Sequence, residues 1–598
     1  MFFFQFLNLH HTVVSFVHPG ISIIPKRPAT DRGSPQPLPY IDAQNASAVF
    51  NTIHGVLKQK SNDLGPVGVS FFPAFLPQGT FLYHGNWNGR APRGLEWVAL
   101  DWEFSYNFAQ FPRRYRPSGP SPPLENPNSN NTGNGTPPLF LRELNASLLT
   151  FQTLKPWTKL VYLDGASAAK STTGEMDQQF LLAKTKFDPT KRVGERMLAE
   201  KICEWGKPFG LDGVIRLEIG YEIIVCDFSD QVERGGMKLI AHNALPDPVE
   251  VIGFPEEVPG ASITSDKGKE LALSRERSLI VDAYEAMAGY EHIRAASLVY
   301  NREKKVLVDY SKMVTPLNKT WISPDTYRRR IHNISEELRD KLILDLEAQL
   351  IDADGRSFIM GTDWQLITER VVEKFGPILM IFNQTYTNYL HSSNPEEERF
   401  SILARNISTH SFTFFRRYSP GRDHSSPEKW EAAKQAMIDD YSRGFTSLLS
   451  ESDILIASSV NKIMNLITSE IFAQFEFSKS ILKDIYVEEA PLKHHALEAI
   501  HHFNSLNALL DLLQWTLDYR CSTTCGWDQF CFIPSWGPGP FGWVSTDGTS
   551  PRNDPKEEDI PGFEYTEGLQ LPAFESSTQI IASKSPKLTK INTIVKKF

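Results

Sequence analysis

Residues 210–232 read GLDGVIRLEIGYEIIVCDFSDQV, and the alternation inside them decides the fold of the first half of the chain. Ile215, Leu217, Ile219, Tyr221, Ile223 and Val225 fall on one face of an extended segment, and Arg216, Glu218 and Glu222 on the other. Such a period of two marks a strand over 214–226, with Glu222 turned away from the apolar layer. Further strands are predicted outward from it at 67–83, at 148–164 with a break at Lys155-Pro156, and in a hairpin-like pair, 297–300 and 305–310, around Asn301-Arg302-Glu303. Interspersed with helical stretches, they make this half α+β.

The second half changes period. From the helix-start signal Ser323-Pro324-Asp325 the chain reads helical for about two hundred residues. SPDTYRRRIHNISEELRDKLILDLEAQLI (323–351), DWQLITERVVEKFGPILMIF (363–382), SPEKWEAAKQAMIDDYSRGFTSLL (426–449) and HHALEAIHHFNSLNALLDLLQWTL (494–517) place apolar residues at i, i+3, i+4 and i+7. The expected organisation is a weak leader and Pro/Ser-rich linker (1–60), an α+β domain (61–245) with a disordered insertion (115–138), and an α/β connecting segment (246–322). An all-α helical bundle (323–519), a Cys/Trp-rich knot (520–545) and a disordered tail (546–598) complete it.

Composition narrows the function classes. A chain of 598 residues has room for several cores. Its net charge of −9, with no basic stretch interleaved with aromatics, argues against nucleic acid as a partner. No segment offers an uninterrupted apolar run of ~20 residues, so no transmembrane helix is evident. Met1 to Pro25 are uncharged and open with Phe2-Phe3-Phe4, yet lack the basic start and small-residue cleavage site of a signal peptide. Eight Asn-X-Ser/Thr sequons, at Asn45, Asn130, Asn134, Asn145, Asn318, Asn333, Asn383 and Asn406, point to the secretory pathway or the extracellular space; if they are idle tripeptides, the protein is cytoplasmic. Cys203 and Cys226 are either a disulfide or a buried reduced pair. Cys521, Cys525 and Cys531 have no His at ligand spacing and read as one disulfide with a spare thiol rather than zinc.

Four stretches carry a resemblance: GTFLYHG (79–85), RGLEWVALDWEFSYNFA (93–109), KLVYLDG (159–165) and 210–232. In order and spacing they resemble the ADP-ribosyltransferase fold of the diphtheria-toxin and poly(ADP-ribose) polymerase type, a split sheet that takes NAD as its substrate. The resemblance implies that His84, within Tyr83-His84-Gly85, holds the ribose of NAD. It also implies that Trp97, in place of the usual Tyr, stacks on nicotinamide with Tyr106 nearby, and that Glu222 is the catalytic carboxylate. Breaking the ribose–nicotinamide bond passes through an oxocarbenium-like state, so a carboxylate on the 2′-hydroxyl would act on charge present only in the transition state. The function implied is NAD-dependent ADP-ribosyl transfer or NAD glycohydrolysis, with a protein as the acceptor in a transfer. LYHG, EWVAL, CEWGKPFGLDGVIRLE, EIIVCDFS and CGWDQFCFIPSWGP also make the whole chain similar to a group of long fungal proteins without an assigned activity.

The competing expectation is a non-catalytic glycoprotein whose helical half binds a partner; oligomeric state is left open. Taken singly, Tyr83-His84-Gly85 is a common strand end, Trp97 and Trp102 are ordinary core residues, and a strand Glu is usually solvated or paired. His494, Glu498 and His502 stand at i, i+4 and i+8 of a helix, which reads as a solvated face, and no metal is expected. Gly-x-Ser-x-Gly, Walker A and His-Glu-x-x-His patterns do not occur.

Overall fold

A computed structural model describes residues 38–57, 67–86, 89–109, 146–168, 174–186, 194–217, 220–245, 306–317, 321–323, 329–331, 334–353, 361–418, 426–442 and 450–515, and strands 529–532, 579–580 and 594–597. Met1–Pro39 and Tyr40–Phe598 are separate units, and the fold described is that of the second. The connecting segment over 246–305, the insertion 115–138, the strand 297–300 and the cysteines Cys521 and Cys525 of the expected knot lie outside the described residues.

Nine strands form one sheet: β1 (Val67–Leu76), β2 (Phe81–Asn86), β3 (Glu96–Ala99), β4 (Ser147–Thr153), β5 (Trp157–Gly165), β6 (Gly213–Leu217), β7 (Tyr221–Val225), β8 (Met237–Ala244) and β9 (Leu307–Val308). Their order is β8-β4-β2-β3-β7-β6-β5-β1-β9. The pairing is antiparallel except between β5 and β6, which run parallel. The break at Lys155-Pro156 separates β4 from β5 as expected, but the two are not neighbours. A turn at Gly79, with φ +86, likewise divides 67–83 into β1 and β2.

The deciding stretch folds as a hairpin rather than one strand, pairing Ile215 with Ile223, Arg216 with Glu222 and Leu217 with Tyr221. Residues opposite one another share a face, so the alternation survives the turn. Gly213 is required here, because a Cβ would lie 2.2 Å from the Ile224 carbonyl oxygen. Glu222 lies with Arg216 on the face away from Ile215 and Ile223, as the alternation predicts, and both strands are buried throughout. The helix α1 (Ala43–Gly55) leads into Leu57, whose N–H and C=O bond Tyr162 and Tyr221 on the apolar side. On the other side stand α3 (Asp177–Leu182) and α4 (Glu195–Gly206); α2 (Trp102–Tyr106) follows β3, and α5 (Phe228–Glu233) follows β7.

The long helices described after the sheet are α6 (Glu336–Ile351), α7 (Trp364–His391), α8 (Glu396–Phe415), α9 (Pro427–Ser442), α10 (Glu451–Lys483) and α11 (His495–Leu513). Residues 324–328, after the helix start expected at Ser323, lie outside the described residues; α6 begins at Glu336, where the Ser335 hydroxyl caps the Leu338 N–H at 3.3 Å. Ahead of it, Arg330 is drawn into an ion pair with Asp177 of α3. α6 packs against the sheet: Lys159 donates to the Leu350 and Ile351 carbonyls and the Trp205 indole N–H to Glu347. Conversely α1, within the expected linker, packs with α7, α10 and α11, its Ser47 and Asn51 donating to the last carbonyls of α11. Short strands β10 (Gln529–Phe532), β11 (Gln579–Ile580) and β12 (Ile594–Lys597) pair in the order β10-β12-β11, so part of the expected disordered tail is paired.

Candidate functional site

Strand register decides which of the expected site residues meet. Tyr83 pairs with Ala99, Ala99 with Glu222, and Glu222 with Arg216, so these four form one row on one face. Tyr83 and Glu222 are thus two strands apart, ~10 Å at the usual spacing. Trp97, two residues before Ala99, shares that face. His84 lies on the opposite face, in the layer of Leu82, Leu149 and Phe151, with its ring 6.1 Å from that of Phe228. The sheet therefore brings Tyr83, Trp97 and Glu222 to one side and does not bring His84 to them.

Each of these residues has a local physical account. The His84 Nδ1 lies 2.7 Å from the Trp97 carbonyl, and because a carbonyl only accepts, Nδ1 carries the proton. Burial lowers the pKa of His84, opposed by that hydrogen bond and by Glu96, and so favours the neutral ring. Gly85 admits the backbone of α2, since a Cβ there would sit 2.0 Å from the Ser105 carbonyl oxygen. Tyr83 has its phenol pKa raised by burial, then by Glu103 and Asp101. The side chain of Tyr106 lies outside the described residues, and Trp102 is exposed.

Glu222 is 4% exposed and accepts from Arg216 Nε at 2.8 Å; Arg216 is 2% exposed. The same guanidinium donates to Glu195 at 2.7 Å and to Gln179 at 3.1 Å, tying the hairpin to α4 and α3. It also stands 5.8 Å from the centre of the Trp97 ring, with Arg196 at 5.7 Å. The Trp97 indole N–H is buried without an acceptor among the described residues. Glu222 thus belongs to a buried charge cluster, and Trp97 already has cations over its ring.

A second buried polar centre, absent from the sequence reading, lies where the parallel strands β5 and β6 end. Asp164 Oδ1 accepts from the Ser70 N–H at 2.8 Å and from Gln178 at 3.0 Å. Burial pushes its pKa up to about 7, against the pull of those bonds and of Arg329. Asp177 pairs beside it with Arg330 at 3.0 Å. The signal in the sequence was a carboxylate closing the apolar run Leu160–Leu163, immediately before Gly165. In the helical part, His494 and Glu498 are exposed, in keeping with the solvated face read from the sequence, while the buried neighbour His495 converges with His494 on Asp484.

These features define a two-part protein, a nine-stranded sheet domain joined to a helical array. The chain belongs to the family described by the YPL277C N-terminal and C-terminal domains, the first matching residues 36–137 and 115–354 and the second 363–489. It is 32% identical over 540 residues to the Saccharomyces cerevisiae "Uncharacterized protein YOR389W", covering 84% of this chain and 83% of that one. To the "Uncharacterized protein YPL277C" of the same yeast it is 34% identical over 405 residues, 61% of this chain and 79% of that one. No solved structure matches.

Proposed function

We propose that the protein acts by binding a protein partner through its helical half, with the sheet domain as a scaffold. The observation that carries this reading is the run of exposed apolar side chains between the end of α10 and α11. Val487 and Leu497 are 73% and 77% exposed, and Tyr486 and Ile500 are exposed beside them in the sequence. Large apolar side chains left exposed within one short stretch of sequence are a feature of interaction segments. A photoreactive residue at position 497 in the full chain expressed in a fungal host is expected to give a discrete protein adduct. Val487→Asp abolishes the adduct without changing the fold. Absence of any adduct, or one indifferent to Val487→Asp, overturns the reading.

A second reading, NAD cleavage at Glu222, is favoured by the common face of Tyr83, Trp97 and Glu222 and by the bare Trp97 indole N–H. Against it stand the engagement of Glu222 by Arg216 and the place of His84 on the other face. Nicotinamide release by wild type, lost in folded Glu222→Gln, would establish it; no release and no NAD binding would remove it. Passage through the secretory pathway is supported by the Cys203–Cys226 disulfide and by the exposed sequon Asn406. Asn383 is half-buried and donates to Asn507, so it is a poor glycan acceptor in the folded chain. A mobility shift on deglycosylation, lost in Asn406→Gln, tests this; an unshifted band favours cytoplasmic residence.

A further inference from the structure

We propose that Asp484, His494 and His495 form a divalent transition-metal site of the zinc type, at the junction of α10 and α11. Asp484 opens a π-helical turn, Asp484–Glu488, that continues α10, and His494 ends the 3-10 turn leading into α11. The His495 Nε2 lies 2.8 Å and the His494 Nε2 3.3 Å from the same Asp484 Oδ2. All three donor atoms lie within 4.8 Å of one another. In a tetrahedron with zinc bonds of ~2.0 Å, donor atoms stand roughly 3.3 Å apart, so a metal fits with shifts of a few tenths of an ångström to about 1.5 Å.

The outer contacts fix the orientation of both rings. The His494 Nδ1 lies 3.0 Å from the Pro491 carbonyl oxygen and the His495 Nδ1 3.0 Å from Glu498 Oε2. Both partners can only accept, so each ring bears its proton on Nδ1 and turns a lone pair on Nε2 toward Asp484. Two lone pairs and a carboxylate oxygen converging on one point need positive charge there. Metal-bound histidines are commonly held in this way, their second nitrogen donating to a carboxylate or a carbonyl. The alternative source of charge is two further protons, making both rings imidazolium.

The donor set selects the metal. Two imidazoles and one carboxylate suit zinc, cobalt or nickel, whereas calcium and magnesium favour oxygen ligands throughout. Phe400 and Phe477 wall His495 on its buried side, and His494 is exposed, which leaves a fourth position for water. The nearby Lys483 is ion-paired with Glu488.

The test is titration of the metal-stripped full chain with zinc by calorimetry, and with cobalt by visible absorption. One zinc per chain, the strong visible bands of four-coordinate cobalt, and a rise in melting temperature with zinc are expected. His494→Ala, at an exposed position that does not hold the core, abolishes binding. Glu498→Gln, which keeps an acceptor without the charge, weakens it by about 10–100-fold. His501→Ala, on the same helix but outside the cluster, leaves it unchanged. No saturable binding by wild type, or binding that survives both His494→Ala and Asp484→Asn, overturns the site and leaves a proton-charged clamp between the two helices.

Discussion

Asp164 makes the sharpest prediction at the scale of the residue. Its folded pKa of about 7 lies above the ordinary value of 3.8, so the native state binds more protons than the unfolded one between those values. Its contribution is therefore fully present below pH ~4 and lost as pH rises through ~7, on the order of 4 kcal/mol for three pH units. Asn at this position keeps an oxygen for both donors that meet Oδ1. Asp164→Asn should accordingly raise the denaturation midpoint at pH 8 and flatten the decline in stability expected of wild type between pH 5 and 8. An unchanged decline would refute the assignment. The Arg216 cluster behaves differently, because removing one partner takes a charge-assisted hydrogen bond from the others. Arg216→Ala leaves Glu222 and Glu195 without that guanidinium and should cost about 3–5 kcal/mol in denaturant unfolding. Glu222→Gln, which keeps an acceptor for Nε, should cost about 1.5–3 kcal/mol. The side of the strand on which Glu222 lies was legible from alternation alone. Its ion pair was not, since it depends on a turn near Gly220 that makes Arg216 and Glu222 cross-strand neighbours, and on α3 and α4 arriving from elsewhere in the chain.

Elements were legible where local chemistry marks their ends and obscure where tertiary packing supplies them. Lys155-Pro156 separates two strands visibly, because proline cannot donate to a ladder. Nothing local says that β4 joins β2 and β8 while β5 joins β1 and β6, pairings that carry the long-range topology. Helix α1 was hidden for a related reason: AQNASAVFNTIHG is short and follows a Pro/Ser-rich stretch, and it is stabilised by packing on helices far along the chain. The Cys203–Cys226 disulfide ties α4 to the end of β7. With its cysteines at a sequence separation of 23, the chain-entropy account gives it about 3 kcal/mol. Cys203→Ser with Cys226→Ser should lower the unfolding free energy by that amount under oxidising conditions and should match reduced wild type. A double variant as stable as oxidised wild type would show the thiols are free.

For the whole molecule, the question is whether the sheet and the helices unfold together. The segment after α1 is held from both sides: the Val56 carbonyl accepts from Gln365 of α7, while Leu57 bonds Tyr162 of β5 and Tyr221 of β7. Leu57 adopts φ +58, a left-handed conformation that leucine rarely takes unless its surroundings impose it. Phe50, on the same helix, is fully buried and stacks on Trp515 at 5.9 Å beyond α11. Two domains joined by a solvated linker would melt separately, but here an element from the start of the chain is built into the core of the helices and gripped by the sheet. Calorimetry should show one transition for the described body. Phe50→Ala, costing about 3–5 kcal/mol, should move the whole of that transition to lower temperature. If instead only a helical component shifts and a sheet component stays in place, the two halves are thermodynamically independent and α1 serves the helices alone.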